Sequence, residues 1–132
     1  MDAPAKQAAF NSLKGKVRLS IALFGGPCVW LLQMWVCEPL AAQACYPHTH
    51  PAPEPVFPYL AGVIDGISIL AVLLSAAVVA YAYRRWTKSR ARSLAGERTF
   101  LNEIALMSAS ACLAAVLFNG VAVLIVSACR PW

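Results

Sequence analysis

Three long apolar stretches dominate the chain, and polar segments separate them. They cover about residues 17–37, 58–83 and 99–129. A bilayer core of about 30 Å is crossed by about 20 helical residues, at about 1.5 Å each. Each stretch is long enough, and none alternates apolar and polar residues as a transmembrane β-strand does. The pattern therefore predicts an all-α membrane protein with three transmembrane helices.

Composition supports this fold class. Of the 132 residues, 60% are hydrophobic and 13% are charged, with a mean hydropathy of +0.63. Soluble domains are about 45–50% apolar and about 25% charged. We expect one membrane domain over residues 1–132, because no length remains for a separate soluble domain.

The first apolar stretch also has features of a secretory signal. Lys14, Lys16 and Arg18 precede or open it, and residues 42–44 read Ala-Gln-Ala, as at a cleavage site. The apolar core of a signal peptide is about 7–15 residues long, which is shorter than this stretch. We therefore expect a retained first helix.

The basic residues are concentrated in two segments. Ten of the eleven Lys and Arg residues lie within 1–18 or 84–98, and none lies within 38–57. Basic residues favour the cytoplasmic side, so the N-terminus and the 84–98 loop should be cytoplasmic. The 38–57 loop and the C-terminus should then face the periplasm of a bacterial inner membrane. The net charge of +5 is therefore a topology signal and does not indicate nucleic-acid binding.

Two basic segments also favour contact with phospholipid. Arg84, Arg85 and Lys88 directly follow the second span, where cationic side chains attract anionic headgroups. In residues 1–16, apolar side chains fall near one helical face with lysines elsewhere. This pattern predicts a short amphipathic helix on the inner membrane surface.

The five cysteines divide by depth. Cys28 and Cys112 lie within spans, whereas Cys37, Cys45 and Cys129 lie at or beyond the outer boundary. Disulfides persist on that side of a bacterial inner membrane. We favour a Cys45–Cys129 bridge, with Cys37–Cys45 as the local alternative and three free thiols as the remaining one.

The outer loop contains CYPHTHPAPEPVFP, in which His48 and His50 are weak candidates for a copper or zinc site. The prolines that follow favour an extended polyproline II conformation, which brings no further ligand back toward the histidines. We therefore interpret the loop as a spacer or partner contact, and expect no metal bound by this chain.

Polar residues inside spans are costly and therefore informative. We expect Gln33, Asp65 and Asn119 to share one layer in the outer half, as interhelical hydrogen bonds or as a proton or quinone site. At the inner end, Glu103 should form a boundary salt bridge with Arg84, Arg85 or Arg98.

Small residues predict where the helices approach closely. Gly25 and Gly26 lie in the first span, and Gly62 and Gly66 form a GxxxG pair in the second. Neither histidine lies in a span, which excludes bis-histidine haem ligation in the bundle. The chain also has no HExxH, CxxC, phosphate loop or GxSxG motif. We therefore expect a protein that is not an enzyme by itself.

The first span resembles a group of small bacterial membrane proteins. Members have a span of the form GPxxWxxQ or GPxxWxxH, then a cysteine outside, and a last span that runs into a terminal cysteine. The matching positions in the first part of this chain are Gly26, Pro27, Trp30, Gln33 and Cys45. Cys129 matches the terminal cysteine, whereas the thiol at Cys37 departs from an aromatic residue that is common in the group.

These proteins are typically encoded in gene clusters for haem-copper cytochrome c oxidases of proteobacteria. The resemblance implies an accessory subunit of a respiratory oxidase or supercomplex, which packs against large membrane subunits and phospholipid. Haem and copper would lie only in those partner subunits. The alternatives are a homo-oligomeric small transporter or channel protomer, and an oxidase assembly or copper-delivery factor using His48 and His50.

Overall fold

The computed structural model describes residues 3–45, 58–91, 96–125 and 129, with side chains described from residue 13 onward except at Arg98. These residues form three helices: α1 (Ala3–Cys45), α2 (Leu60–Ala91) and α3 (Gly96–Ile125). Leu13–Cys45, Leu60–Ala91 and Thr99–Ile125 are each long and apolar enough to cross a membrane. This confirms the predicted all-α fold with three helices that are long and apolar enough to span a membrane.

Helix α1 is longer than the predicted span. It continues through Pro27 and Pro39 to Cys45, and so includes residues that were assigned to the outer loop. A proline removes one backbone hydrogen bond, but membrane helices tolerate it where neighbouring helices compensate. The predicted amphipathic segment falls on residues 1–16, most of whose side chains lie outside the described residues.

The three helices pack along stripes of small residues. On α2 the buried positions include Ile64, Ser68, Ala71 and Ser75, spaced by four, three and four residues. On α3 the buried positions are Asn102, Ala105, Ala109 and Val116. A repeat of three and four residues is typical of left-handed packing between helices, and small side chains let the backbones approach.

The Gly25–Gly26 pair brings α1 against both other helices. A Cβ added at Gly26 would lie 3.1 Å from the Ala109 Cα and 3.2 Å from the Cys112 Cβ on α3. A Cβ added at Gly25 would lie 3.2 Å from a Val78 methyl group on α2. These adjacent glycines therefore form the junction where the three helices meet.

The Gly62–Gly66 pair has a different environment from the one expected of a packing motif within the chain. A Cβ added at either glycine would have nothing within 4 Å, and both residues are exposed. Gly62, Gly66, Ile69 and Leu73 follow one another at i, i+4, i+7 and i+11, so they form one outward stripe of α2. We call these four residues the α2 outer stripe.

The remaining outward surface is strongly apolar. Trp35, Phe118 and Ile125 are 81%, 77% and 78% exposed. Since exposed aromatic and aliphatic side chains on every helix are unfavourable in water, this surface fits the hydrocarbon core of a membrane.

Candidate functional site

A disulfide closes one end of the bundle. Cys45, at the end of α1, is bonded to Cys129, with 5.2 Å between their Cα atoms. Beside it, Ala44 packs with Leu60 and Ile64. We call this the outer end and the end bearing Arg84 the inner end, following the predicted orientation.

The alternative Cys37–Cys45 bridge is absent, and Cys37 is a free thiol. Its position explains why. Cys37 and Cys45 lie eight residues apart on the continuous helix α1, which separates them by about 12 Å along the axis. A disulfide requires Cα atoms within about 7 Å.

Gln33 is the most deeply buried of the predicted intramembrane polar residues. It is 5% exposed, and its Nε2 donates a hydrogen bond of 3.3 Å to the Oγ of Ser68. The Gln33 Oε1 atom is buried and has no partner among the described residues. Gln33 therefore joins α1 to α2 through its Nε2 donor, and its Oε1 acceptor accepts no hydrogen bond from the described residues.

Asn119 and Asp65 do not complete the expected layer. Asn119 donates through Nδ2 to the Sδ of Met34 at 3.1 Å, which joins α3 to α1. Asp65 is half-buried and forms no hydrogen bond with Gln33 or Asn119 in the described part of the chain; it lines a different groove, of about 350 Å³, between α2 and α3. The two residues differ in their rotation around α2. Ser68 lies three residues after Asp65, and Ser68 faces the inside of the bundle where Asp65 was expected.

An apolar groove runs along the outer half of the bundle. It has a volume of about 470 Å³ and contains Gln33 and Asn119 in an otherwise mainly apolar lining. Its other lining residues include Met34, Cys37, Glu38, Ile64, Ser68 and Val123. The groove has the size for an apolar group or an acyl chain, with few polar atoms to orient it.

His48 and His50 lie outside the described residues, so the structure does not place them. Within the described ranges, no three His, Cys, Asp or Glu side chains are grouped as they would be around a metal ion.

At the inner end, Glu103 is half-buried, and it forms no ion pair with Arg84 or Arg85 in the described structure. The side chain of Arg98 lies outside the described residues. Asn102, the residue before Glu103, is buried instead and is 7% exposed. Its Oδ1 atom is buried and has no hydrogen-bond partner among the described residues.

Arg84, Arg85 and Lys88, predicted to contact lipid, line a groove at this end. We call it the inner basic groove. Its volume is about 530 Å³. The other lining residues are Gly15, Arg18, Tyr81, Ser89 and Asn102.

Sequence reasoning did not single out Ser68 as a polar contact or Asn102 as a buried position. Both belong to the three-and-four-residue repeat of small or polar residues that marks the buried faces of α2 and α3. That repeat was the available signal, because it identifies the inward face independently of side-chain charge.

The chain matches no family model, no curated protein and no solved structure. Its own residues, and the resemblance carried by its first span, are therefore the basis for a functional proposal.

Proposed function

We propose that this chain is a non-catalytic accessory subunit of a bacterial respiratory terminal oxidase or supercomplex, which it stabilises through helix packing in the inner membrane. Its N-terminus is cytoplasmic and its C-terminus periplasmic. The subunit binds no redox centre itself, and haem and copper lie in the partner subunits.

One observation carries the proposal. Gly26, Trp30 and Gln33, which carry the resemblance, lie at i, i+4 and i+7 on one face of α1. Gly26 and Gln33 are buried against α3 and α2, and Trp30 is half-buried beside them. Gly26 and Gln33 therefore join α1 to the other two helices, which is the role of a structural motif in a packing subunit.

The outward surface supports the same reading. The α2 outer stripe presents two glycines that no part of the described chain covers, and small residues favour close approach of another helix. A helix of a large membrane subunit would pack closely against both glycines of this stripe, and phospholipid would cover the remaining apolar surface.

The disulfide supports the proposed orientation. Disulfides persist in oxidising compartments such as the bacterial periplasm and are rare in the cytosol. The Cys45–Cys129 bond lies at the end opposite Arg84 and Arg85, so both features favour a cytoplasmic basic end.

The first test is capture of the tagged full chain in a mild detergent, followed by a native gel. A reduced-minus-oxidised spectrum and mass spectrometry are then recorded on the same band. Haem absorbance with oxidase subunits in fixed stoichiometry is the expected result. A colourless band holding only this chain would refute the proposal and favour a homo-oligomeric transporter or channel. Capture of an oxidase only in the presence of copper would favour a delivery factor.

A second test locates the contact. A photo-reactive amino acid at Ile69, on the α2 outer stripe, should crosslink to a larger subunit. The matched control is Leu70, which is similarly exposed, 57% against 63%, but is turned by about 100° around α2. Equal crosslinking at both positions would show that the stripe is not the preferred contact.

A further inference from the structure

The inner basic groove is lined by cations from two helices at the inner end of the bundle. Arg18 comes from α1, and Arg84, Arg85 and Lys88 come from less than two turns of α2. No acidic residue is among the described residues that line the groove. Arg84 and Lys88 are an i, i+4 pair of like charge, which destabilises a helix unless an anion lies between them. The groove is therefore electrostatically complementary to an anion.

A second feature points to a ligand that also donates a hydrogen bond. Asn102 lines the groove from α3, is more than nine-tenths buried, and leaves Oδ1 without a partner in the described structure. A buried acceptor without a hydrogen bond is costly. An N–H or O–H donor placed in the groove would remove that cost, which a bare anion cannot do.

Two neighbouring polar groups, on Arg90 and Ser89, are already engaged elsewhere. The Arg90 guanidinium stacks over the Trp86 ring, 4.6 Å from its centroid. The Ser89 hydroxyl donates to the Trp86 carbonyl at 2.8 Å. Arg90 therefore lies on the same helix and at the same level as the groove but does not line it, which makes it a matched control.

The surroundings identify the ligand as a lipid. The groove lies at the ends of helices that continue as membrane spans, and Tyr81 forms part of its wall. Val17 and Ile21 flank Arg18 in sequence on α1 and are about half exposed, at 50% and 52%. Acyl chains entering the membrane beside the groove would meet this apolar surface.

We propose that the inner basic groove binds one anionic glycerophospholipid with a hydroxylated headgroup. Its phosphate contacts Arg18, Arg84, Arg85 and Lys88, and a headgroup hydroxyl donates to Asn102 Oδ1. The site does not depend on which complex the chain joins. It also discriminates among lipids, because zwitterionic headgroups add a positive charge next to the four cations.

Native mass spectrometry of the purified full chain with added lipid tests the charge requirement. One molecule of phosphatidylglycerol should be retained, and phosphatidylcholine should be released. Arg84→Gln with Arg85→Gln should weaken retention about ten- to thirty-fold, since each cation near a membrane surface contributes a several-fold factor. Arg90→Gln should change retention less than about two-fold, since the contribution of Arg90 lies outside the groove. Equal losses in these variants would overturn the proposal by showing a diffuse charge effect.

Two comparisons test the donor and the source of the phosphate. Phosphatidylmethanol has the charge of phosphatidylglycerol but no donor, and should be retained more weakly; Asn102→Leu should remove that difference. Arg18→Gln, at an exposed position, provides a second variant if Asn102→Leu fails to fold. It should weaken the retention of both lipids. Competition by inorganic phosphate at concentrations equal to those of the lipid would overturn the assignment to a lipid. Equal retention of phosphatidylglycerol and phosphatidylmethanol by the unmodified chain would overturn the hydrogen bond assigned to Asn102 Oδ1.

Discussion

Replacing Gly26 with alanine tests the closest approach between α1 and α3. The new Cβ would lie 3.1 Å from the Ala109 Cα, a backbone atom that moves only if α3 moves. Overpacking of this kind costs about 1–3 kcal/mol. The change also removes a helical glycine, which favours the helix by about 1 kcal/mol in water. The observed loss alone would therefore understate the packing cost.

Gly66→Ala is the matched reference. It gains the same helix propensity at a position where the new Cβ has nothing within 4 Å. The difference in unfolding free energy between Gly26→Ala and Gly66→Ala isolates the packing term, and we expect about 1–3 kcal/mol. The assay is reversible unfolding of the purified chain in mixed micelles of rising SDS fraction, followed by tryptophan fluorescence and circular dichroism.

Gly25→Ala provides an internal check on the reasoning. Its new Cβ meets the methyl groups of Val78, which are side-chain atoms, so Val78→Ala should restore stability. No side-chain truncation at Ala109 can relieve Gly26→Ala, because the contacted atom is Cα. If Gly26→Ala is as stable as Gly66→Ala to within about 0.5 kcal/mol, the close approach at the three-helix junction is wrong.

Three further predictions concern the polar contact, the disulfide and the orientation. Gln33→Ala and Ser68→Ala should each destabilise the bundle, with a coupling of about 0.6 kcal/mol, and at most about 1.7, in a double-mutant cycle; additive losses would contradict the hydrogen bond. Cys45→Ser should remove the mobility shift between reduced and oxidised samples on a denaturing gel, as should Cys129→Ser. It should also lower the unfolding free energy by less than the roughly 4–5 kcal/mol that the 84-residue separation implies for a free chain, because inserted helices retain order when they separate. Lys88→Cys, in a background without other cysteines, should react with an impermeant maleimide only after cells are opened. Labelling in intact spheroplasts would show that the orientation is the opposite of the predicted one.

The sequence was sufficient to predict the number and type of helices, because an apolar stretch of adequate length has few alternatives in a membrane. Their ends were harder to predict. The first span was predicted to end at residue 37, where the apolar stretch ends, yet α1 continues to Cys45. Helix ends depend on tertiary contacts, here those of Ala44 and Cys45 at the outer end.

The rotation of each helix was the main limit on predicting the site. Depth along the membrane normal suggested that Asp65 meets Gln33, but each residue turns a helix by about 100°. Ser68 is the residue that faces Gln33, and Asp65 lines a separate groove. Hydropathy contains no information about rotation; the repeat of Ile64, Ser68, Ala71 and Ser75 does.

Arg84, Arg85 and Lys88, which lie on the last turns of α2, were predicted to contact lipid from charge alone, and this stays a prediction. The contributions of Arg18 and Asn102 were missed, because they come from other helices and depend on how the inner ends meet. Long-range convergence of this kind follows from packing, which a single sequence does not specify.

The Cys45–Cys129 bond also constrains how the chain is made. It joins the end of the first helix to a residue beyond the last, so α2 and α3 lie within one covalent ring. During synthesis, Cys45 reaches its side of the membrane long before Cys129 exists. A product in which α3 failed to cross would leave the two thiols on opposite faces, where they cannot react. The disulfide therefore forms only after the third helix has been inserted, so it distinguishes fully inserted molecules from incompletely inserted ones.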